Sequence, residues 1–168
     1  MSIIYKIKLA SSRMKFASGH FTIFSKTERE RIHGHNFTLS CTISSTTKQN
    51  DLVFDYANYK NILANKCQQL DELMLLPELS PYLTIKKTTN SILCDFNGDE
   101  MIFPLKDIYL LPIENITIEG LAEWFLNAFI NTISTNELNN LNEIEVAISS
   151  SPSQVGVAIW NKLILNNC

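Results

Sequence analysis

The chain contains three histidines, and His20, His33 and His35 all fall within one short stretch. The last two belong to HGHNFTLSCTISS, where His33, His35, Phe37, Leu39 and Cys41 occupy alternate positions. Successive side chains on a strand point to opposite faces, so these five share one face and Asn36, Thr38, Ser40 and Thr42 the other. His20 closes an earlier alternating stretch, Met14, Phe16, Ser18. A hairpin partner carrying His20 would complete a set of three imidazoles, and that requirement narrows the folds open to the chain more than any other feature. Taken singly, each histidine is most simply an ordinary polar residue. Together they match a catalytic zinc centre, with three imidazole nitrogens at about 2.0–2.1 Å and a fourth position left for water or substrate. Iron, nickel and copper also accept imidazole, so the spacing leaves the metal's identity open.

Around this stretch the pattern is that of a mixed α+β chain. Ile3 to Leu9 alternates like a strand, and with Met14–Ser18 it predicts an antiparallel hairpin or one long bent strand. FSKTERERI, Phe24 to Ile32, is charged and has neither period, which predicts a loop. After the polar turn TTKQND, Tyr56, Tyr59, Ile62, Leu63, Cys67 and Leu70 form one helical stripe from a cap at Asp55. A second helix is expected from Thr117 to about Thr132, with Leu121, Trp124, Phe125, Ala128 and Phe129 at helical spacing and Thr117 as cap. IEVAISS and VGVAIWNKLIL read as two closing strands. Between Pro77 and Ile113 the prolines and a hairpin around Asn97-Gly98 suggest an elaborated insertion in an otherwise single domain, residues 1–168.

Composition bounds the partners. With 45% hydrophobic and 18% charged residues, a net charge of -3 and no basic stripe, the chain has no footprint for a phosphate backbone. Nucleic acid is not an expected partner. The N-terminal segment carries Lys6, Lys8, Arg13 and Lys15 and lacks the apolar run of a signal peptide or membrane span. Cys41, Cys67, Cys94 and Cys168 are widely spaced and form no C-x-x-C pair, which fits a soluble protein in a reducing cytoplasm.

FASGHF, RIHGHNF, LVFDY, QLDEL and TIEGLAEW occur in that order from about Phe16 onward. Their order and spacing resemble the successive motifs of the 6-pyruvoyl-tetrahydropterin synthase family, which includes relatives that act in queuosine-precursor synthesis. The resemblance extends to about Trp160, apart from the segment 77–113. It implies a tunnelling fold, with a four-stranded antiparallel sheet and two helices on one face. It also implies assembly through β-barrels into homotrimers or homohexamers, Zn2+ held by His20, His33 and His35, and a small-molecule pterin substrate.

Three departures from the family pattern refine that expectation. The catalytic cysteine usual shortly before HGH is absent, since no cysteine lies between His20 and His33. In its place Glu30 precedes His33 by three residues, as in a variant group that feeds folate synthesis. That group cleaves 7,8-dihydroneopterin triphosphate to 6-hydroxymethyl-7,8-dihydropterin. A desolvated glutamate, its pKa raised from about 4.3 toward neutrality, can act as base and then acid. The charged run Glu28-Arg29-Glu30-Arg31 would otherwise read as a solvated loop. In QLDEL, Asp71 matches the family's aspartate while Glu72 stands where histidine is usual, so Asp71 is the second expected catalytic residue. Ser149-Ser150-Ser151 replaces a usual Glu-Thr pair. The resemblance further assigns Glu119, with Thr117 beside it, to the aminopyrimidinone edge of the pterin, although a threonine cap and an early glutamate also suit a helix start on their own. The alternative activities are triphosphate elimination to 6-pyruvoyl-tetrahydropterin, the biopterin route, and a non-catalytic pterin- or zinc-binding homologue.

Overall fold

The computed structural model describes residues 3–48 and 52–162. Cys168, the last residues of VGVAIWNKLIL and part of the TTKQND turn lie outside these. In chain order the strands are β1 (Tyr5–Leu9), β2 (Lys15–His20), β3 (His33–Ser45), β4 (Leu73–Pro77), β5 (Thr84–Lys87), β6 (Ser91–Phe96), β7 (Asp99–Pro104), β8 (Ile108–Leu111), β9 (Glu143–Ser151) and β10 (Gln154–Asn161). The helices are α1 (Tyr56–Leu70), α2 (Ile118–Ile130) and α3 (Thr135–Asn139).

The long strand β3 organises the main sheet. Along one edge it pairs first with β2, from His20↔His33 to Lys15↔Thr38, and then with β1, from Leu9↔Cys41 to Tyr5↔Ser45. The first two strands therefore behave as one bent strand. Along its other edge β3 pairs with β9, and β9 pairs with β10, all antiparallel. This is the expected four-stranded sheet. Two further strands extend it: β4 lies parallel to β2, and β8 parallel to β4. The segment 77–113 is thus only partly separate. Its last strand, β8, belongs to the main sheet, whereas β5, β6 and β7 form a three-stranded meander of their own. The β6–β7 turn uses Asn97 at φ 52° and Gly98 at φ 89°, the positive values that a two-residue type I′ hairpin requires.

The alternation read from β3 is realised in packing. Phe37, Leu39, Cys41 and Ile43 are buried, while Asn36 and Thr38 remain exposed. Above the buried face lie Tyr59, Leu63, Cys67 and Leu70 of α1 and Leu121, Ala122, Phe125 and Phe129 of α2. Asp55 caps α1 by accepting from the N–H groups of Ala57 and Asn58, and Thr117 caps α2 by accepting from Gly120. Tyr56, expected on the α1 core stripe, is instead exposed, because it sits in the first turn beyond the sheet's cover. Phe16 stacks on Phe37 with ring centroids 4.9 Å apart. Burying an aromatic side chain of this size contributes about 1.5–3 kcal/mol. A second apolar cluster, Phe21, Ile23, Leu76, Leu83, Ile92, Cys94 and Phe96, joins the meander to the segment after β2. Among the described residues no helix is long and apolar enough to cross a membrane.

Candidate active site

The antiparallel register sets His20 directly opposite His33, and the period of two sets His35 beside them. Ring centroids are 4.6 Å apart for His20–His33, 5.3 Å for His20–His35 and 4.8 Å for His33–His35. One nitrogen from each ring lies within 4.8 Å of the others. Backbone carbonyls orient two of the rings: His20 Nδ1 lies 3.1 Å from the Ile116 carbonyl oxygen and His33 Nδ1 2.8 Å from that of Arg31. A ring nitrogen that donates its proton to a carbonyl leaves the lone pair on the other nitrogen, the tautomer a metal ligand needs.

The donor set fits a metal ion. His20 Nε2 is buried without a hydrogen-bond partner, a costly condition for a polar atom unless a ligand satisfies it. His33 Nε2 and His35 Nε2 face each other at 3.1 Å. With the His33 proton committed to Arg31, that approach calls for a cation or a shared proton between the rings. Burial, and secondarily the neighbouring His33 and His35, push the His20 pKa down to about 4 despite the opposing Ile116 carbonyl. His20 is therefore neutral near pH 7 and free to act as a ligand.

Glu30 reaches the same cleft from the loop after β2. Ile23 and Arg29 form an isolated antiparallel bridge, and the Glu30 N–H donates to the Thr22 carbonyl at 2.8 Å. The Glu30 carboxylate in turn accepts the Thr22 N–H at 3.0 Å. Asn115 braces the hairpin from outside, accepting from Ile23 N–H at 3.0 Å and donating to the Ile23 carbonyl at 2.7 Å. The charged stretch is thus an ordered hairpin, with a Glu30 oxygen 4.0 Å from His33 Nε2. The expected upward pKa shift is corrected here. Desolvation does raise the Glu30 carboxyl, but hydrogen bonds from the Thr22 side chain and backbone, together with His33 and His20, bring it below its ordinary value. In the free chain Glu30 is ionised and presents itself as a base.

His20, His33, His35, Glu30, Thr117 and Glu119 line one cleft of about 220 Å³, together with Thr22, Phe37, Ile118, Ser150 and Gln154. Thr117 spends its hydroxyl oxygen on the cap at 3.1 Å. Glu119 is exposed in the first turn of α2. This turn can lie over the histidines because β10 passes very close beneath it: a Cβ on Gly156 would stand 2.6 Å from the Ile118 carbonyl carbon.

Asp71 does not join this group within one chain. It lines a different cleft with Arg13, Lys15, Asn36 and Gln68, and its carboxylate accepts the Ala17 N–H at 2.7 Å. The Glu72 N–H donates to the Ala17 carbonyl at 2.7 Å, which holds Glu72 at a left-handed φ of 60°. The pair clamps the end of α1 to β2. Thr22 and Gln154 were not singled out from the sequence. Thr22 carries the parity of His20 two positions on, a usable signal, whereas Gln154 reaches the cleft only through the β9–β10 turn, where it donates to Ser150 Oγ at 3.1 Å. Cys41, Cys67 and Cys94 are buried away from the cleft, and burial pushes their thiols up to about 12, 12 and 11. None of these is a ready thiolate.

A model of the family described as 6-pyruvoyl tetrahydropterin synthase matches residues 10–158. The chain belongs to that family. The family's members are tetrahydropterin synthases, which makes this chain a pterin-processing enzyme of the lyase type. A 6-pyruvoyl tetrahydropterin synthase from Plasmodium vivax superposes with a TM-score of 0.89 at 29% identity, over 95% of this chain and 99% of its own. A variant of that P. vivax protein, in which a glutamate described as a catalytic residue is replaced by alanine, superposes with a TM-score of 0.88 at 28% identity. A Methanocaldococcus jannaschii protein provisionally named a 6-carboxy-5,6,7,8-tetrahydropterin synthase is 27% identical over 143 residues, covering 84% of this chain and 86% of its own. The synthase family thus accounts for the sheet, the two helices and the histidine cluster together.

Proposed function

We propose that this synthase-family member cleaves the side chain of 7,8-dihydroneopterin triphosphate to yield 6-hydroxymethyl-7,8-dihydropterin, a folate precursor, with Glu30 as the proton-transfer group. The observation that carries this reading is the Glu30 carboxylate at 4.0 Å from His33 Nε2, in a cleft that no described cysteine enters. A relative in which a glutamate is a catalytic residue supports the assignment.

In this reading His20, His33 and His35 hold Zn2+ through Nε2. When bound, the metal supplies Lewis-acid polarisation of the substrate's side-chain hydroxyls. Glu119 accepts the N–H groups of the aminopyrimidinone edge and, with Thr117 fixing the start of α2, sets the pterin's orientation. Glu30, already ionised, takes the proton from the C2′ hydroxyl. The C1′–C2′ bond then breaks with its electrons delocalised into the pterin ring, C2′ leaves as an aldehyde, and Glu30 returns the proton to C1′. Asp71, engaged with Ala17, would take part in proton transfer only at a site shared with a second copy. The cleft's volume of about 220 Å³ is below the range of about 300–1,000 Å³ usual for small-molecule sites, which supports completion of the site by a neighbouring chain in a homotrimer or homohexamer.

A second reading is favoured by the curated relatives, which are provisionally named 6-carboxy-5,6,7,8-tetrahydropterin synthases at 22–27% identity. It shares the pterin and the histidines but has no cysteine before HGH to rely on. Triphosphate elimination to 6-pyruvoyl-tetrahydropterin would require Glu30 to take a proton from C1′ instead.

Turnover of Glu30→Gln tests the assignment. The change is nearly isosteric, so the fold and metal content should persist while kcat falls by about 10²–10⁴. Glu28→Gln, in the same loop but outside the cleft, should retain near-normal turnover. Near-normal turnover in Glu30→Gln with metal bound would return Glu30 to the role of a loop charge.

A further inference from the structure

Arg29 adjoins the proposed base yet points away from the cleft, into the second apolar cluster. Its guanidinium carbon lies 5.2 Å from the Phe21 ring centroid and 5.6 Å from that of Phe96. Both rings are buried, and the arginine side chain is only 18% exposed. One terminal nitrogen donates to the Glu30 carbonyl at 2.9 Å, and the other reaches the Asp99 carboxylate at 3.3 Å. Its Nε is buried with no hydrogen-bond partner. A guanidinium that leaves one N–H unmatched is held there by its planar faces and its two outer nitrogens.

The connectivity gives this contact a purpose. Phe96 and Asp99 flank the β6–β7 turn of the meander, Phe21 follows His20 directly, and the carbonyl that Arg29 holds is that of Glu30 itself. We infer that Arg29 is a positioning residue for Glu30, through which the β5–β7 meander sets the placement of the proton-transfer carboxylate against the histidines. The Thr22–Glu30 pairing and the Asn115 clasp fix the hairpin at its base, and Arg29 fixes its outer side against the meander. The segment 77–113 then has a part in the reaction although its meander contributes no side chain to the cleft. A carboxylate displaced by about 1 Å from its proton loses on the order of 10²-fold in rate, so an indirect contact of this kind can govern turnover.

The inference rests on the reading of Glu30 as the proton-transfer group, and a double-mutant cycle separates the two. Arg29→Met fills the slot between the rings without the donors. With 7,8-dihydroneopterin triphosphate as substrate, it should lower kcat by roughly ten- to a hundredfold while KM and metal content stay within about twofold of the starting protein. Arg29→Lys keeps the charge and one donor direction and should recover part of the loss. In a Glu30→Gln background, Arg29→Met should change kcat by less than about twofold, because a residue acting through Glu30 has nothing left to place. If Arg29→Met folds poorly, Phe96→Leu, which removes one stacking face but keeps the apolar contact, should show the same loss of kcat at constant KM, and unchanged kcat there would overturn the inference. Multiplicative losses in the double mutant, or a kcat deficit that tracks loss of metal, would likewise reduce Arg29 to a scaffold residue. An impaired Glu30→Gln beside a fully active Arg29→Met would sink this inference alone, whereas a fully active Glu30→Gln would sink both.

Discussion

With His20 Nδ1 and His33 Nδ1 turned to the carbonyls of Ile116 and Arg31, the Nε2 atoms are left to converge, and the 3.1 Å approach of His33 to His35 needs either a cation or a shared proton between the rings. Removing one ring should therefore remove the metal, as three imidazoles are the minimum of a tetrahedral site with one open position. Elemental analysis of purified His33→Ala should show far less than the roughly one metal ion per chain expected of the parent. Full occupancy in His33→Ala would disprove the ligand set. Glu30 shows where residue-level reading from sequence stops. Its spacing to His33 is visible in the chain, but the sign of its pKa shift depends on Thr22, eight positions away and brought opposite by the hairpin.

At the scale of elements, local chemistry was legible and remote pairing was not. The caps Asp55 and Thr117 and the Asn97-Gly98 turn act through neighbours in the chain, and each is found as expected. The parallel strands β4 and β8 are short apolar runs beside prolines. Nothing in their period shows that they pair with each other and with β2, because a parallel partner is distant in sequence. The same holds for Gln154 and for the approach of β10 to α2. Gly156→Ala tests that approach, since the added Cβ would lie 2.6–2.8 Å from backbone atoms of Ile118 and Glu119, which cannot yield as a flexible side chain would. We expect a loss of about 1–3 kcal/mol in denaturant unfolding. A higher KM should accompany it as the first turn of α2 lifts Glu119 away. Unchanged stability and KM would show that Glu119 is not held by β10.

At the scale of the whole molecule, the main sheet ends in strands that have no further neighbour among the described residues. On β10, Val155, Val157 and Ile159 are 57%, 46% and 55% exposed. A long edge strand with an apolar face invites pairing with another copy. Sedimentation should accordingly show a trimer or hexamer, and Val157→Lys should shift it toward smaller species. A stable, fully active monomer would contradict this. What the enzyme makes is the deciding question, and the identity of the product answers it. Metal-loaded protein incubated with 7,8-dihydroneopterin triphosphate, followed by chromatographic identification of the pterin, should give 6-hydroxymethyl-7,8-dihydropterin as the main product. A main product of 6-pyruvoyl- or 6-carboxy-tetrahydropterin, or no turnover at all, would contradict the account.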